Sequence, residues 1–365
     1  MTLSTDSDVK KFLDSIELPD VGLKLGDVGR VLGVERGADR IAVRVQLGFP
    51  AQTAHEDYAA SIAGALRQET GAADVSVEFS TSVVAHSVQP NVTAIPTVRN
   101  ILAVASGKGG VGKSTVAVNL ALALAADGAR VGILDADIYG PSQPQMMGLD
   151  GKVPDSEDGK TMMPLEAHGV QVMSIGFLVE NDQPMVWRGP MVTSALQQLL
   201  NQTNWDDLDY LIVDMPPGTG DIQLTLSQSV PVSGSVIVTT PQNIATLDAR
   251  KGLAMFNKVG IHVLGVIENM STHVCSSCGH EEPIFGSGGA DKMTADFNVA
   301  LLGRLPLDAR IREQTDSGAP TVVSDPDSAA ANDYRKAARL MAATLATKGK
   351  DYTSKFGKIV VEGNS

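Results

Sequence analysis

The rhythm of apolar and polar positions changes near residue 100. Before it, "VGRVLGV" (Val28–Val34) and "RIAVRVQL" (Arg40–Leu47) alternate or nearly alternate, as strands with one buried face do. "RGAD" (Arg36–Asp39) between them is a turn signal. "AHEDYAASIAGALRQETGA" (Ala54–Ala72) sets Tyr58, Ile62, Ala65 and Leu66 at helical spacing and stops at Gly71. "DVSVEF" (Asp74–Phe79) reads as a third strand, and Asp8–Ile16 as a leading helix. Together they predict a small α/β module over residues 1–88, one sheet with helices on one face. Residues 89–100 contain Pro90 and Pro96, show no period and read as a linker.

From Ile101 short apolar runs recur without alternation: "ILAVAS", "VGILDAD", "VQVMSIG", "YLIVDM", "SVIVTT", "VLGVIENM" and "LLGRLP". Their Val, Ile and Leu content suits strands buried on both faces of a parallel sheet. Helical stretches lie between them. "STVAVNLALALAADG" (Ser114–Gly128) is apolar nearly all round, as a buried crossover helix is, and Gly128 can cap it. The alternation predicts an α/β fold, a doubly wound and mostly parallel sheet, over residues 101–348. Residues 349–365 form a polar tail.

One loop in this pattern carries chemistry. "SGKGGVGKST" (Ser106–Thr115) follows an apolar strand and opens a helix, the context in which Gly107-x-x-x-x-Gly112-Lys113-Ser114 is a full Walker A P-loop. Gly107, Gly109, Gly110 and Gly112, with Val111, let successive backbone N–H groups converge on one anion, and the helix N-terminus adds its positive end. Lys113 then reaches the β- and γ-phosphates of ATP, Ser114 offers its hydroxyl to Mg²⁺, and Thr115 closes the nucleotide-binding loop. "YLIVDMPPGTGD" (Tyr210–Asp221) ends a strand in Asp214, a Walker B carboxylate for Mg²⁺, and its turn-rich continuation reads as switch II.

Composition narrows the setting. The 365 residues contain 43% hydrophobic positions and carry a formal net charge of −13, which disfavours nucleic acid and anionic lipid as partners. No run of about 18 apolar residues predicts a membrane span. "MTLSTDSDVKKFLDS" lacks a signal-peptide pattern, and two cysteines in such a length argue against a disulfide framework, so a reducing cytoplasmic location is expected. Those two cysteines, Cys275 and Cys278, form "CSSC". Such a pair is half of a four-ligand metal or cluster site. A redox dithiol, completion by His280, a shared zinc site, or ligands from a second copy all remain open from the spacing.

Lys108, directly after the first loop glycine, is not needed by an ordinary P-loop. "GKGGVGKST" resembles the deviant Walker A motif of the MinD, ParA and nitrogenase iron-protein group. That resemblance implies that Lys108 crosses a homodimer interface and acts in trans like an arginine finger. It also makes "ILDADIYGPS" (Ile133–Ser142) switch I, with Asp137 positioning the attacking water and Asp135 near the metal. Asn269 in "GVIENMS" would read the adenine edge, and Pro306 and Asp308 would lie in the base loop.

The order "DADIYGPSQPQMMG", "WRGPM" (Trp187–Met191), "DMPPGTGD", "ENMS", "CSSCG" resembles Mrp/ApbC-type iron–sulfur cluster carriers over Ile101–Ala342. The resemblance implies an ATPase in which Cys275 and Cys278 of two protomers hold one bridging [4Fe–4S] cluster for apo iron–sulfur client proteins, with assembly factors as further partners. The N-terminal module resembles SufT-like domains. Those carry a cysteine after the second strand, where "LGFPAQTAHED" has none, and their Asp-Pro motif is reduced to "LPDVG", which leaves a docking role. A MinD- or ParA-like positioning ATPase with structural zinc is the competing reading. The tail lacks the basic amphipathic helix such a MinD relative would use on membranes.

Overall fold

The computed structural model describes residues 3, 5–37, 39–89, 92–156, 158–178, 189–275 and 277–349, with the side chains of 189 and 190 left aside. Trp187 and Arg188 of "WRGPM", Pro90 of the linker and the tail beyond 349 lie outside them.

The N-terminal alternation produces β1 (Gly29–Arg36), β2 (Arg40–Leu47) and β3 (Asp74–Thr81). β1 and β2 pair antiparallel, with a register shift between Val31 and Gly33, and β3 runs parallel to β2. The helix His55–Thr70 makes that parallel crossover and buries Tyr58, Ile62, Ala63 and Leu66. The leading helix starts two residues earlier than its apolar spacing suggested, at Asp6–Asp14. Thr5 and Asp8 form a reciprocal capping box there, and that polar signal sets the start.

The larger sheet contains β4 (Val98–Ser106), β5 (Val131–Asp135), β6 (Leu165–Ala167), β7 (Val170–Ser174), β8 (Leu208–Asp214), β9 (Gly234–Thr239), β10 (Val263–Glu268) and, after the short pair β11 (His273–Val274) and β12 (Glu281–Glu282), β13 (Ala300–Arg304). Its order is β13-β10-β9-β4-β8-β5-β7-β6. All neighbours run parallel except β6 against β7. Each apolar run recognised in the sequence is one of these strands. The chain leaves β4 toward β5 on one side and later toward β9 on the other. That reversal is a topological switch point, where open α/β sheets bind ligands at the carboxyl ends of their strands.

The segment expected as a linker is pinned to the sheet layers. Just before it, the His86 N–H donates to Asn100 Oδ1 at 3.1 Å. The Gln89 side chain donates to the carbonyls of Ser227 and Val230 and accepts from Val232 N. Absence of a period meant irregular backbone here, with its neighbours' polar groups satisfied by side chains. β4 accordingly begins at Val98, three residues before the expected boundary of 101.

One continuous apolar cluster runs from Leu3 to Leu345 and joins both sheets. At the seam stands a buried ionic hub. Arg339, on the helix Ala329–Ala346, meets Asp20 at 2.8 Å and Asp127 at 3.3 Å, and donates to Thr53 Oγ1 at 2.9 Å. Thr53 donates in turn from its N–H and hydroxyl to Asp127 Oδ1. Asp127 caps the helix Lys113–Ala126 that begins at the P-loop. Arg339→Ala leaves the buried carboxylate of Asp127 and the largely covered one of Asp20 without their cation, so it should destabilise the fold by about 3–5 kcal/mol in urea unfolding. A loss below about 1 kcal/mol would mean that the hub behaves as a surface pair does.

Candidate functional site: a phosphate loop, paired carboxylates and a thiol hairpin

β5, β8 and β4 are neighbours, so their carboxyl ends bring Asp135, Asp214 and the P-loop together. Asp135 and Asp214 lie in register on adjacent parallel strands. The loop leaves β4 at Ser106 and turns through Gly110 (φ +80°) and Gly112 (φ +79°) into the helix Lys113–Ala126. Left-handed backbone at both positions favours glycine. Gly107 is fixed by space: a Cβ there would lie 2.3 Å from the backbone carbon of Asp248, on the helix Asn243–Lys258. Gly109 is exposed with open space around it, and Thr115 lies half-buried in the first helical turn.

Lys113 is only 6% exposed. Its ammonium donates to Asp214 Oδ1 and, at 3.1 Å, to Ser114 Oγ, and lies 3.9 Å from Asp137 Oδ2. The second Asp214 oxygen accepts from Gln143 Nε2 at 2.9 Å. Asp135 is fully buried. Its carboxylate accepts from the N–H groups of Asp137, Ser142 and Gln143 and from Ser174 Oγ, at 2.9–3.1 Å. These bonds fold residues 137–143, the segment expected as switch I, back over the sheet edge. Burial first, and the Asp214 carboxylate next to it second, push Asp135 up to about 7. Asp137 is also raised by burial, against the pull of Lys113.

Lys108 sits half-buried in the loop, and its ammonium has no ionic partner among the described residues; its carbonyl accepts from Ser106 Oγ at 2.9 Å. Gly218 (φ +101°), in the turn-rich segment expected as switch II, donates its N–H to the Ser106 carbonyl at 3.0 Å. Asn269 follows β10 and is buried. Its Nδ2 donates to the Val111 carbonyl at 2.9 Å, bracing the phosphate loop from behind. Asp308 caps the helix Ala309–Asp316 through Arg310 N.

The same strand end leads to the cysteines. β11 and β12 pair antiparallel. Between them Cys275 N donates to the His280 carbonyl and Gly279 N, in a left-handed residue (φ +70°), donates to the Cys275 carbonyl, both at 2.9 Å. Cys275 is half-buried and Cys278 exposed, both as free thiols. Backbone N–H groups of Ser277 and Cys278 hold the Cys275 thiol below its usual range, the environment a thiolate ligand needs. His280 is exposed, and among the described residues no three His, Cys, Asp or Glu side chains gather in metal-binding geometry. The hairpin is tied to the loop after β13 by Leu307 N on the Thr272 carbonyl and by His273 Nδ1 against the Leu307 carbonyl.

Sequence reasoning missed Gln143 and Ser174, which hold the carboxylates. Neither belongs to a spacing motif; only the fold brings them to Asp214 and Asp135.

The family model for ParA-type proteins described as the NUBPL iron-transfer P-loop NTPase matches residues 97–342, more than half of the chain. The chain belongs to this family. The iron–sulfur cluster carrier protein of Pseudomonas fragi is 59% identical over 269 residues, covering 73% of this chain and 94% of that one. The iron–sulfur cluster carrier protein of Haemophilus influenzae is 48% identical over 349 residues, 96% of this chain and 94% of its own, so this likeness takes in the N-terminal module. Among solved structures, a nucleotide-binding protein from Archaeoglobus fulgidus in complex with ADP is similar at TM-score 0.54 and 35% identity, over 61% of this chain and 87% of that one. The mostly parallel sheet and P-loop described above are thus those of a NUBPL-type P-loop NTPase. No helix among the described residues is long and apolar enough to cross a membrane.

Proposed function

We propose that the chain is an ATP-hydrolysing iron–sulfur cluster carrier that works as a homodimer. The observation that carries this reading is the junction at β10. One strand end braces the phosphate loop through Asn269 and then continues into the hairpin of Cys275 and Cys278. The printed names of the relatives, cluster carriers at up to 59% identity, support it.

The cargo is a [4Fe–4S] cluster. Four thiolates hold such a cluster, and each chain offers Cys275 and Cys278, so two chains complete the set. Lys108 asks for the same partner, because its ammonium has no ionic partner among the described residues and the motif resemblance directs it across a dimer interface. Ile244 (67% exposed) and Leu247 (55%) sit one turn apart on the helix that touches Gly107, and supply apolar surface beside that lysine.

The site fits ATP with Mg²⁺. The glycine-lined cradle suits the phosphates, and Ser114 and Asp214 are oxygen ligands of the kind Mg²⁺ takes, with Asp135 behind them. Mg²⁺ held there by Ser114 and Asp214 would supply charge neutralisation on the phosphates. Lys113 exchanges Asp214 and Asp137 for phosphate oxygens. Asp137, freed from that ion pair, orients the attacking water. Lys108 of the second copy stabilises charge on the transferred phosphoryl group. Asn269 meets the adenine amine through Oδ1, since Nδ2 serves Val111. Residues 1–88 form a module that docks client apo-proteins and assembly factors, and residues 89–100 join it to the ATPase of residues 101–348 as a segment held against the sheet by Gln89. The hairpin and the base loop move together because of their shared hydrogen bonds, so nucleotide biases cluster release.

Anaerobic transfer tests this. Cluster-loaded protein is mixed with an apo-ferredoxin, and circular dichroism follows cluster arrival with and without ATP. Transfer whose rate changes on adding Mg-ATP is expected. Failure to transfer under either condition would remove the carrier reading.

A further inference from the structure

Gln143 occupies a place that the reading above leaves unexplained. Its side chain is fully buried, at the start of the short segment Gln143–Met146 and directly before Pro144. Its N–H is held by Asp135 Oδ2 at 3.0 Å. Its amide nitrogen donates twice, to Asp214 Oδ2 at 2.9 Å and to the Ser114 carbonyl at 3.2 Å. Both acceptors belong to the residues assigned to Mg²⁺. The orientation of the amide follows from them: turned over, its oxygen would face a carboxylate and a carbonyl, neither of which can donate. The other end, Oε1, is buried and has no hydrogen-bond partner among the described residues. Ser142 Oγ, next to it in the chain, is buried and unpartnered as well.

A buried amide oxygen without a donor is uncommon in folded proteins and points to a donor supplied from outside the chain. Covalent geometry keeps Oε1 within about 2.3 Å of the nitrogen that touches Asp214 and Ser114. Mg²⁺ gives up its water reluctantly and keeps several ligand waters, each of which is a donor. We propose that Gln143 is a positioning residue of the Mg²⁺ site. Its Nε2 clamps the Asp214 carboxylate against the backbone of Ser114, and its Oε1 accepts a hydrogen bond from a water on the ion. With its N–H on Asp135 at the end of β5 and its side chain on Asp214 at the end of β8, it also ties switch I to the Walker B strand. The inference rests on the assignment of Ser114 and Asp214 to Mg²⁺.

The test reads metal dependence apart from turnover. Binding of a fluorescent ATP analogue is titrated with Mg²⁺, and separately measured in EDTA, for wild type, Gln143→Met and Gln143→Asn. Met keeps the volume and removes both polar ends; Asn keeps an amide that is one methylene too short and covers the case in which the Met variant fails to fold. Outer-sphere partners of a metal site are typically worth 10–100-fold in metal affinity. Both variants should raise the Mg²⁺ concentration for half-saturation by about that factor and leave binding in EDTA unchanged. A folded variant with the wild-type Mg²⁺ requirement overturns the role of Gln143 alone. Wild-type binding that ignores Mg²⁺ altogether overturns the underlying assignment, and Gln143 with it. Equal losses with and without Mg²⁺ would make Gln143 a packing residue only, which also overturns the proposal.

Discussion

Lys113→Ala should reduce ATP hydrolysis by at least about 10²–10³-fold, the usual cost of removing one preorganised group from charge developing in a transition state. Lys113 is the one buried cation at the carboxyl ends of β4, β5 and β8 among the described residues, within reach of Asp214, Ser114 and Asp137. Nothing nearby replaces it. Its removal also leaves Asp214 and Asp137 facing each other across a buried site, so the variant should melt at lower temperature than wild type. The hairpin of Cys275 and Cys278 is built from its own backbone hydrogen bonds and should still take up iron and sulfide. Phosphate release gives the first readout and iron content the second. Hydrolysis near the wild-type rate would take Lys113 out of the chemistry. Lost hydrolysis together with lost cluster would show that the two sites fold as one unit.

Cys275→Ser/Cys278→Ser should have the opposite profile: no bound cluster, intact nucleotide binding and unchanged melting. Serine is nearly the same size, and both thiols lie on a surface hairpin whose turn depends on Gly279 and main-chain bonds. The fold therefore loses nothing measurable, while the soft thiolate ligands that iron–sulfur clusters need are gone. Visible absorbance after anaerobic reconstitution, with iron and sulfide analysis, checks it. Retention of iron and sulfide in the double variant would mean that other residues hold the cargo.

The parts of this molecule that were legible in the sequence are local. The P-loop is one uninterrupted stretch, and its strand-loop-helix context is written in the same thirty or so residues. Strands buried on both faces announce themselves as apolar runs, which is why β4, β5, β7, β8, β9 and β10 were recognisable; the edge strand β13 was recognised from its leucines, although only Leu302 of it is buried. The edge strand β6 was not. It has three residues, pairs on one side only and is half-exposed, so no run marks it. The segment that begins at Gln89 looked like a tether because the hydrogen bonds of Gln89 go to Ser227, Val230 and Val232, far away in sequence. The same reason hides the seam: Asp127 and Arg339 are ordinary surface-type residues until the fold buries them beside Asp20 and Thr53. Gln143 belongs to this class. Asn269 was recognised by motif, but its bond to Val111 was not, since motifs carry residue types and not the direction of an amide.

The central claim is that one cluster is shared by two copies of the chain. Wild-type protein reconstituted anaerobically with iron and sulfide should be measured for bound iron, sulfide and zinc on the same sample whose molar mass is determined by light scattering. About four irons and four sulfides are expected in a particle of twice the 38.2 kDa chain mass, with a return toward the single-chain mass when a chelator strips the cluster. Zinc without sulfide, or a full complement of iron and sulfide on a particle of single-chain mass, would contradict it.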